Sequence, residues 1–273
     1  MIEDIFKTAT PYILASIGGL FTELCGSLNI ALEGQILIGA FWAIVVSNMT
    51  GSIVLGLLAA VAASSLLALI TALFSFRFRA NIFISGLAAN LLAYGLVTVF
   101  STILVKGGGV IRAETAIQGS SYFFTVFALL LLPLSWYVIN YTPYGMRCRV
   151  AGLSEAVLYY RGISPDFYRY TALLISGVLC GIAGASLAAR IGAFVPNISS
   201  GRGWIALVAI YLGYRKPQWV FLSCILFASA ESLANWTQGF IGMPATVILA
   251  LPYLITLSVL TIVSAVRKKT EQR

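Results

Sequence analysis

The sequence predicts an all-α polytopic membrane protein with about nine transmembrane helices (eight to ten), some of them short or broken, and one helix on the cytoplasmic surface. Three observations carry this prediction. Hydrophobic residues make up 60% of the 273-residue chain and charged residues only 10%, with a mean hydropathy of +0.96; a soluble domain carries about 25% charged residues. The apolar residues fall into long runs, each suited to a crossing of about 20 residues. The basic residues sit in the short polar interruptions between those runs, where membrane insertion places them. We read residues 1–273 as one transmembrane domain.

Nine apolar segments follow in order: 10–27, 34–50, 52–75, 82–105, 122–140, 168–190, 201–214, 219–238 and 244–266. The first two are short and rich in Gly, Ser and polar residues. Segment 201–214 is too short for an upright crossing, so a broken or re-entrant helix is expected there. Small residues recur every fourth position at Gly177, Gly181, Ala185 and Ala189, and again at Ala59 and Ala63. Such ridges let helix backbones approach closely in lipid. Packing within the chain is the simpler reading; a dimer seam is the alternative.

Lys and Arg set the orientation. With the C-terminal Arg267, Lys268, Lys269 and Arg273 in the cytoplasm, alternating spans bring Arg77, Arg79, Arg147, Arg149, Arg161, Arg169, Arg215 and Lys216 to the same side. Lys7, Lys106, Arg112, Arg190 and Arg202 remain outside. The bias is that of the positive-inside rule. Arg190 and Arg202 then border the outer mouth, contacting lipid headgroups or an acidic partner. The N-terminus falls outside with nine full crossings and inside if one short segment is re-entrant. Glu3, Asp4 and Lys7 do not make a basic signal-peptide region, so the first apolar run is read as part of the mature protein.

The longest polar interruption, 141–168, is punctuated for a short helix. Ser154 suits an N-cap, and Glu155 follows in the first turn, where the helix dipole favours an anion. Gly162 suits the left-handed residue that ends a helix, and Ser164 with Pro165 starts the next. A helix over 155–161 is therefore expected between two spans. It either rests on lipid or docks a partner protein.

Several chemistries are excluded. The chain has no histidine, and Cys25, Cys148, Cys180 and Cys224 are scattered, so no metal, haem or disulfide framework is expected. No Walker A pattern occurs, and no catalytic triad is possible. No cofactor is expected, and the net charge of +8 is explained by topology rather than by nucleic acid. Carboxylates in apolar segments are costly and usually face a cavity or a partner. Glu23, Glu33 and Glu231 are such groups. Glu33 either lines a pathway or caps the helix that starts near Gly34, the simpler reading. Glu231, followed by Asn235, lines a pore or bonds between helices. Asn29, Gln35 and Asn90 are the other polar candidates for a solute pathway.

Asn29-Ile30-Ala31-Leu32-Glu33-Gly34-Gln35, running into Ile38-Gly39-Ala40-Phe41, resembles a signature of ABC importer permeases of the branched-chain amino acid / ribose-type family. Within it, the sequence is similar to the branch serving nucleosides, riboflavin and simple sugars. Gly145-Met-Arg-Cys-Arg-Val-Ala-Gly, with Glu155, Ala156, Arg161, Gly162, Ile163 and Ser164, is similar to the family's cytoplasmic coupling segment. The stretch 201–213 is similar to its short penultimate motif. Val157-Leu158-Tyr159-Tyr160 is bulkier than the Ala-rich helix usual in that segment.

The resemblance implies a multi-pass permease of a bacterial inner membrane. Its partners would be cytoplasmic ATP-binding subunits, a second permease subunit (another copy or a different chain) and an external substrate-binding protein or lipoprotein. It would import a small polar solute, nucleosides ahead of riboflavin and sugars. Ser154, Glu155, Ala156, Tyr159, Arg161 and Gly162 would then couple to the ATPase. Competing readings are an ion-coupled secondary transporter, which the broken segments fit loosely, and a scaffold without transport.

Overall fold

The computed structural model describes residues 2–104, 109–113 and 121–237. Ten α-helices and one two-stranded ladder are found among them. They are α1 (Ile2–Leu24), α2 (Leu32–Thr50), α3 (Ile53–Ala72, extended by a π turn over Leu73–Arg77), α4 (Ile82–Leu104), β1 (Ile111–Arg112), α5 (Ser121–Tyr141), α6 (Pro143–Leu153), α7 (Glu155–Tyr160), α8 (Pro165–Ile191), β2 (Ala193–Phe194), α9 (Arg202–Leu212) and α10 (Pro217–Thr237). Strand β1 pairs antiparallel with β2, Ile111 opposite Phe194 and Arg112 opposite Ala193.

Six of the described helices are long and apolar enough to cross a membrane, so the chain is a multi-pass membrane protein. Nine crossings were expected. The difference has three parts: α1 carries Glu3, Asp4 and Lys7 in its first turns, α9 has only 11 residues, and segment 244–266 lies outside the described residues. Helix α1 also starts eight residues before the expected boundary, because its charged first turns hide the helix from a hydropathy reading.

Helix α8 is the axis of the bundle, packed against α1, α2 and α3. It is buried along most of its length, as is α2. Helices α3, α4 and α5 instead present Leu58, Leu66, Ile84, Leu91, Phe123 and Leu130 outward. In a bilayer such faces meet lipid, and every backbone polar group must be satisfied within the protein.

The small-residue ridge of α8 packs within the chain. A Cβ on Gly177 would come within 2.8 Å of Ser65 Cα, and one on Gly181 within 2.8 Å of the Ala60 carbonyl oxygen, both on α3. The facing stripe of α3 includes Ala60, Ser64 and Ala68, one residue along from the expected Ala59 and Ala63, which are only half-buried, while Gly56 of α3 packs on Ala43 and Ser47 of α2. A still closer crossing joins α8 to α2. A Cβ on Gly184 would lie 2.3 Å from the Ile36 carbonyl oxygen and 2.5 Å from the Ala40 nitrogen. Gly184→Val is therefore expected to destabilise the bundle by about 1–3 kcal/mol or more, as overpacking does. Thermal unfolding of purified protein checks this.

Two helices, not one, occupy the interruption 141–168. Thr142 accepts a hydrogen bond from the Gly145 amide at 3.3 Å, and Pro143 takes the first turn of α6. Helix α7 follows almost where expected. Ser154 occupies its N-cap in extended conformation without a side-chain capping bond, and Gly162 is left-handed at φ 68°. The end of α1 meets α6, because a Cβ on Gly152 would lie 2.3 Å from the Leu24 carbonyl oxygen.

Candidate functional site: two helix N-termini meeting at the centre

Helix α2 begins inside the protein, so its first amides lie where water cannot reach them. Unpaired amides at a helix start must find other acceptors. Asn29 Oδ1 accepts from the Ala31 amide at 3.0 Å, and Asn90 Oδ1, from α4, accepts from the Gly34 amide at 2.8 Å. Asn90 Nδ2 donates back to the Ile30 carbonyl at 3.0 Å. Asn29 Nδ2 donates to Gln35 Oε1 at 3.1 Å and to Ser176 Oγ at 2.8 Å. Asn29, Gln35 and Asn90 thus frame the start of α2. Gln35 Nε2 is buried with no partner among the described residues. Asn90→Ala orphans a buried amide and is expected to cost about 1–3 kcal/mol, read as a lowered melting temperature.

Glu33 caps a helix, but not the one the sequence suggests. Its Oε1 accepts from the Gly201 amide and its Oε2 from the Gly203 amide, each at 2.7 Å, at the N-terminus of α9. The contact is close: a Cβ on Gly203 would lie 2.4 Å from the Glu33 nitrogen. Tyr94, near the middle of α4, donates to Glu33 Oε1 at 3.4 Å and to Asn197 Oδ1 at 3.2 Å.

From this meeting point the two helices diverge. Helix α2 runs to the end of the bundle that carries β1, where Asn48 donates to the Arg112 carbonyl at 2.8 Å. Helix α9 runs to the end that carries α6 and α7. There Arg215 pairs with Glu23, the penultimate residue of α1, at 2.7 Å, and Tyr211 donates to the same carboxylate at 3.1 Å. Left-handed residues flank α9 on both sides: Asn197, Ser200 and Gly201 before it, Tyr214 and Arg215 after it. Non-glycine residues in that conformation cost of order 1–3 kcal/mol each and persist only where surrounding contacts hold them.

Arg202 belongs to the interior, not to an outer mouth. Its guanidinium pairs with Glu231 Oε1 at 2.5 Å and donates to the Ile198 carbonyl at 3.0 Å, while Tyr12 donates to Glu231 Oε2 at 2.5 Å. The signal in the sequence was Glu231 itself: an acid within an apolar run demands a counter-charge. Tyr12 and Tyr94 carried no comparable signal. Together these groups line a cavity of about 570 Å³, with Glu33, Tyr94, Asn197, Arg202 and Glu231 on its walls and Trp204 and Asn235 at its rim. A polar chamber bounded by aromatic rings is suited to hold a small hydroxylated solute.

The other predicted group lies at the α7 end. Ser154, Glu155, Ala156, Tyr159, Arg161 and Gly162 are all exposed, while Leu158 is buried. Glu155 forms an ion pair with Arg169 of α8. Around it, Tyr160 is 91% exposed and Leu153 87%.

The whole-chain comparisons agree with this architecture. The chain is 32% identical to the guanosine ABC transporter permease protein NupQ of Bacillus subtilis, over 93% of this chain and 88% of the relative. It is 31% identical to the nucleoside ABC transporter permease protein NupC of Lactococcus lactis, over 96% and 91%. The solved PsaBC complex from Streptococcus pneumoniae shares the fold with a TM-score of 0.58 at 14% identity, covering 94% of this chain and 90% of that one. The family model described as branched-chain amino acid transport system / permease component matches residues 1–263, and the chain belongs to that family.

Proposed function

We propose that this chain is the membrane permease of an ATP-driven importer for nucleosides, with the ATPase on separate subunits. The observation that carries the reading is α7: a six-residue helix held to α8 by the Glu155–Arg169 pair, with Val157, Tyr159 and Tyr160 turned outward. A short helix with an exposed apolar surface is a docking element for a partner protein, and here the partner is the ATPase. Ser154, Glu155, Ala156, Tyr159, Arg161 and Gly162 form the coupling surface. The relatives' names supply the substrate class, nucleosides.

On this reading the α7 end faces the cytoplasm, where Arg77, Arg79, Arg147, Arg149, Arg161, Arg169, Arg215 and Lys216 supply the positive-inside bias. The opposite end faces an external binding protein. The central cavity is the solute path, with Glu33 and Glu231 on its wall and Asn235 at its rim; Asn29, Gln35 and Asn90 serve it by holding α2. A second permease subunit covers the side where Trp204, Leu233 and Trp236 are exposed. ATP-driven movement of α7 then shifts the permease pair between outward- and inward-open states.

Purification from the native host, followed by reconstitution with the copurifying chains and the binding protein, tests this. A Walker A subunit is expected to copurify, and guanosine uptake is expected to require ATP. Uptake that persists in ATP-depleted vesicles, with no ATPase bound, overturns the reading.

A further inference from the structure

Helix α9 is held by a carboxylate at each end. Glu33 of α2 takes the Gly201 and Gly203 amides at its start. Glu23 of α1 takes its finish: one oxygen pairs with Arg215 at 2.7 Å, and the other accepts from Tyr211 at 3.1 Å. The Glu23 side chain is only 7% exposed. A buried carboxylate parted from its cation is strongly destabilised, so this clamp moves as one unit. Between the two carboxylates runs a stiff rod of 11 residues, about 16 Å long. A cavity of about 180 Å³ borders the clamp, lined by Glu23, Leu24, Arg149, Gly152, Leu153 and Arg215, so the clamp has room to shift.

The end of α1 that carries Glu23 is tied in turn to α7. The Cys25 carbonyl accepts from Arg169 Nε at 3.4 Å, and Cys25 Sγ donates to the Tyr168 carbonyl at 3.6 Å. The Arg169 guanidinium also pairs with Glu155 of α7 and, at 3.7 Å, with Asp166 of its own helix. It lies 5.9 Å from the ring centre of Phe76, in the π turn after α3. One planar fork thus spans α7 and the end of α1, a reach that a lysine ammonium does not reproduce.

We propose that Arg169 and Glu23 are positioning residues that carry a displacement of α7 to the central junction. The proposal rests on the reading of α7 as the docking helix. Glu155 and Arg169 join α7 to the end of α1. Glu23 joins that end to the finish of α9. The rod of α9 then delivers the movement to Gly201 and Gly203, and so to Glu33. Tyr214 and Arg215, left-handed at φ 51° and 56°, form the bend at which the finish of α9 turns. Neither Arg169 nor Glu23 is among the described residues that line the central cavity, so their part is mechanical. Such coupling runs through hydrogen-bonded networks and rigid elements, and it is demonstrated when two sites bias the same element.

Trp204, in the first turn of α9 and at the cavity rim, is the reporter. The full-length protein is taken with its copurifying chains, and acrylamide quenching at Trp204 is the difference from the matching Trp204→Phe protein. Arg169→Gln and Glu23→Gln are each expected to change the Trp204 quenching constant about two-fold or more, as coupled neighbours do. The double variant is expected to read as Glu23→Gln alone, because with the clamp gone α9 no longer follows the end of α1. In the assembly, both single variants are expected to keep ATP hydrolysis and to carry about five-fold less guanosine per ATP, or lower still.

A folded Arg169→Gln protein whose Trp204 reads as wild type overturns the proposal. So does a double variant in which the two effects add. If Arg169→Gln fails to fold, Arg169→Lys takes its place; if Glu23→Gln fails, Arg215→Gln does, each held to the same outcomes. The quenching cycle is read without solute or ATP, so it decides the link by itself. A protein that passes it without carrying guanosine loses the nucleoside reading and keeps the joint. One that carries guanosine with an unchanged yield per ATP in both variants keeps the proposed function and loses the joint.

Discussion

Glu33→Ala is expected to reduce guanosine uptake at least ten-fold and to lower the melting temperature of the purified protein. The carboxylate accepts two backbone bonds of 2.7 Å from the first turn of α9. Bonds to a charged group contribute about 1.5–3 kcal/mol each. Losing both removes about 3 kcal/mol or more from the docking of α9 on α2, and each 1.4 kcal/mol is a factor of about ten. The undocked population then rises on the order of a hundred-fold. The left-handed residues on both sides of α9 have less to hold them, so the half-helix swings away. Glu33→Gln keeps one acceptor oxygen but loses the charge, and is expected to fall between wild type and alanine. Uptake and thermal unfolding are measured on the same preparations. Wild-type uptake by Glu33→Ala would show that the α2–α9 junction has no part in transport.

Ala156→Trp is expected to abolish ATP-dependent uptake while the protein inserts and melts as wild type does. Ala156 is exposed on α7, so its own chain tolerates the larger side chain. On the proposed reading a docked ATPase would not, because a bulky ring at the centre of a small interface displaces the partner. Disruption of an interface centre costs about 2–4 kcal/mol, which weakens association about 30-fold or more. Copurification of the ATPase is therefore expected to be lost with uptake, whereas Ala156→Ser should leave both unchanged. Retained uptake with tryptophan at 156 would remove α7 from the mechanism.

The parts of the fold that hydropathy controls were legible in the sequence. Segments 82–105 and 122–140 became Ile82–Leu104 and Ser121–Tyr141, because lipid-facing helices announce themselves by an uninterrupted apolar surface. Segments 10–27, 34–50 and 201–214 stood out as abnormal; of these only α9 is too short to cross, whereas α2 at 19 residues is long enough, and the N-terminal ends of α2 and α9 meet. Helix α6 was missed because its residues carry no apolar stripe; only Thr142-Pro143 marked its start. The candidate site was half visible. Glu33 and Glu231 stood out because carboxylates in apolar runs need a reason. Their partners did not, since Gly201 and Gly203 contribute only backbone amides, which have no residue signature. Arg202 was placed at the surface because a count of basic residues assumes that each lies at a span end. An arginine at the first turn of a short helix packed inside the bundle breaks that assumption.

Deuterium uptake at Gly201 and Gly203 is governed by one side chain from a distant part of the chain, not by a preceding helical turn. The amide of Gly34, held by Asn90 on α4, offers an internal standard in the same core. Isotope labelling during turnover therefore gives a stopwatch. On the proposed reading, a departure of α9 from α2 during transport would show as faster exchange at the two later glycines while Gly34 stays slow.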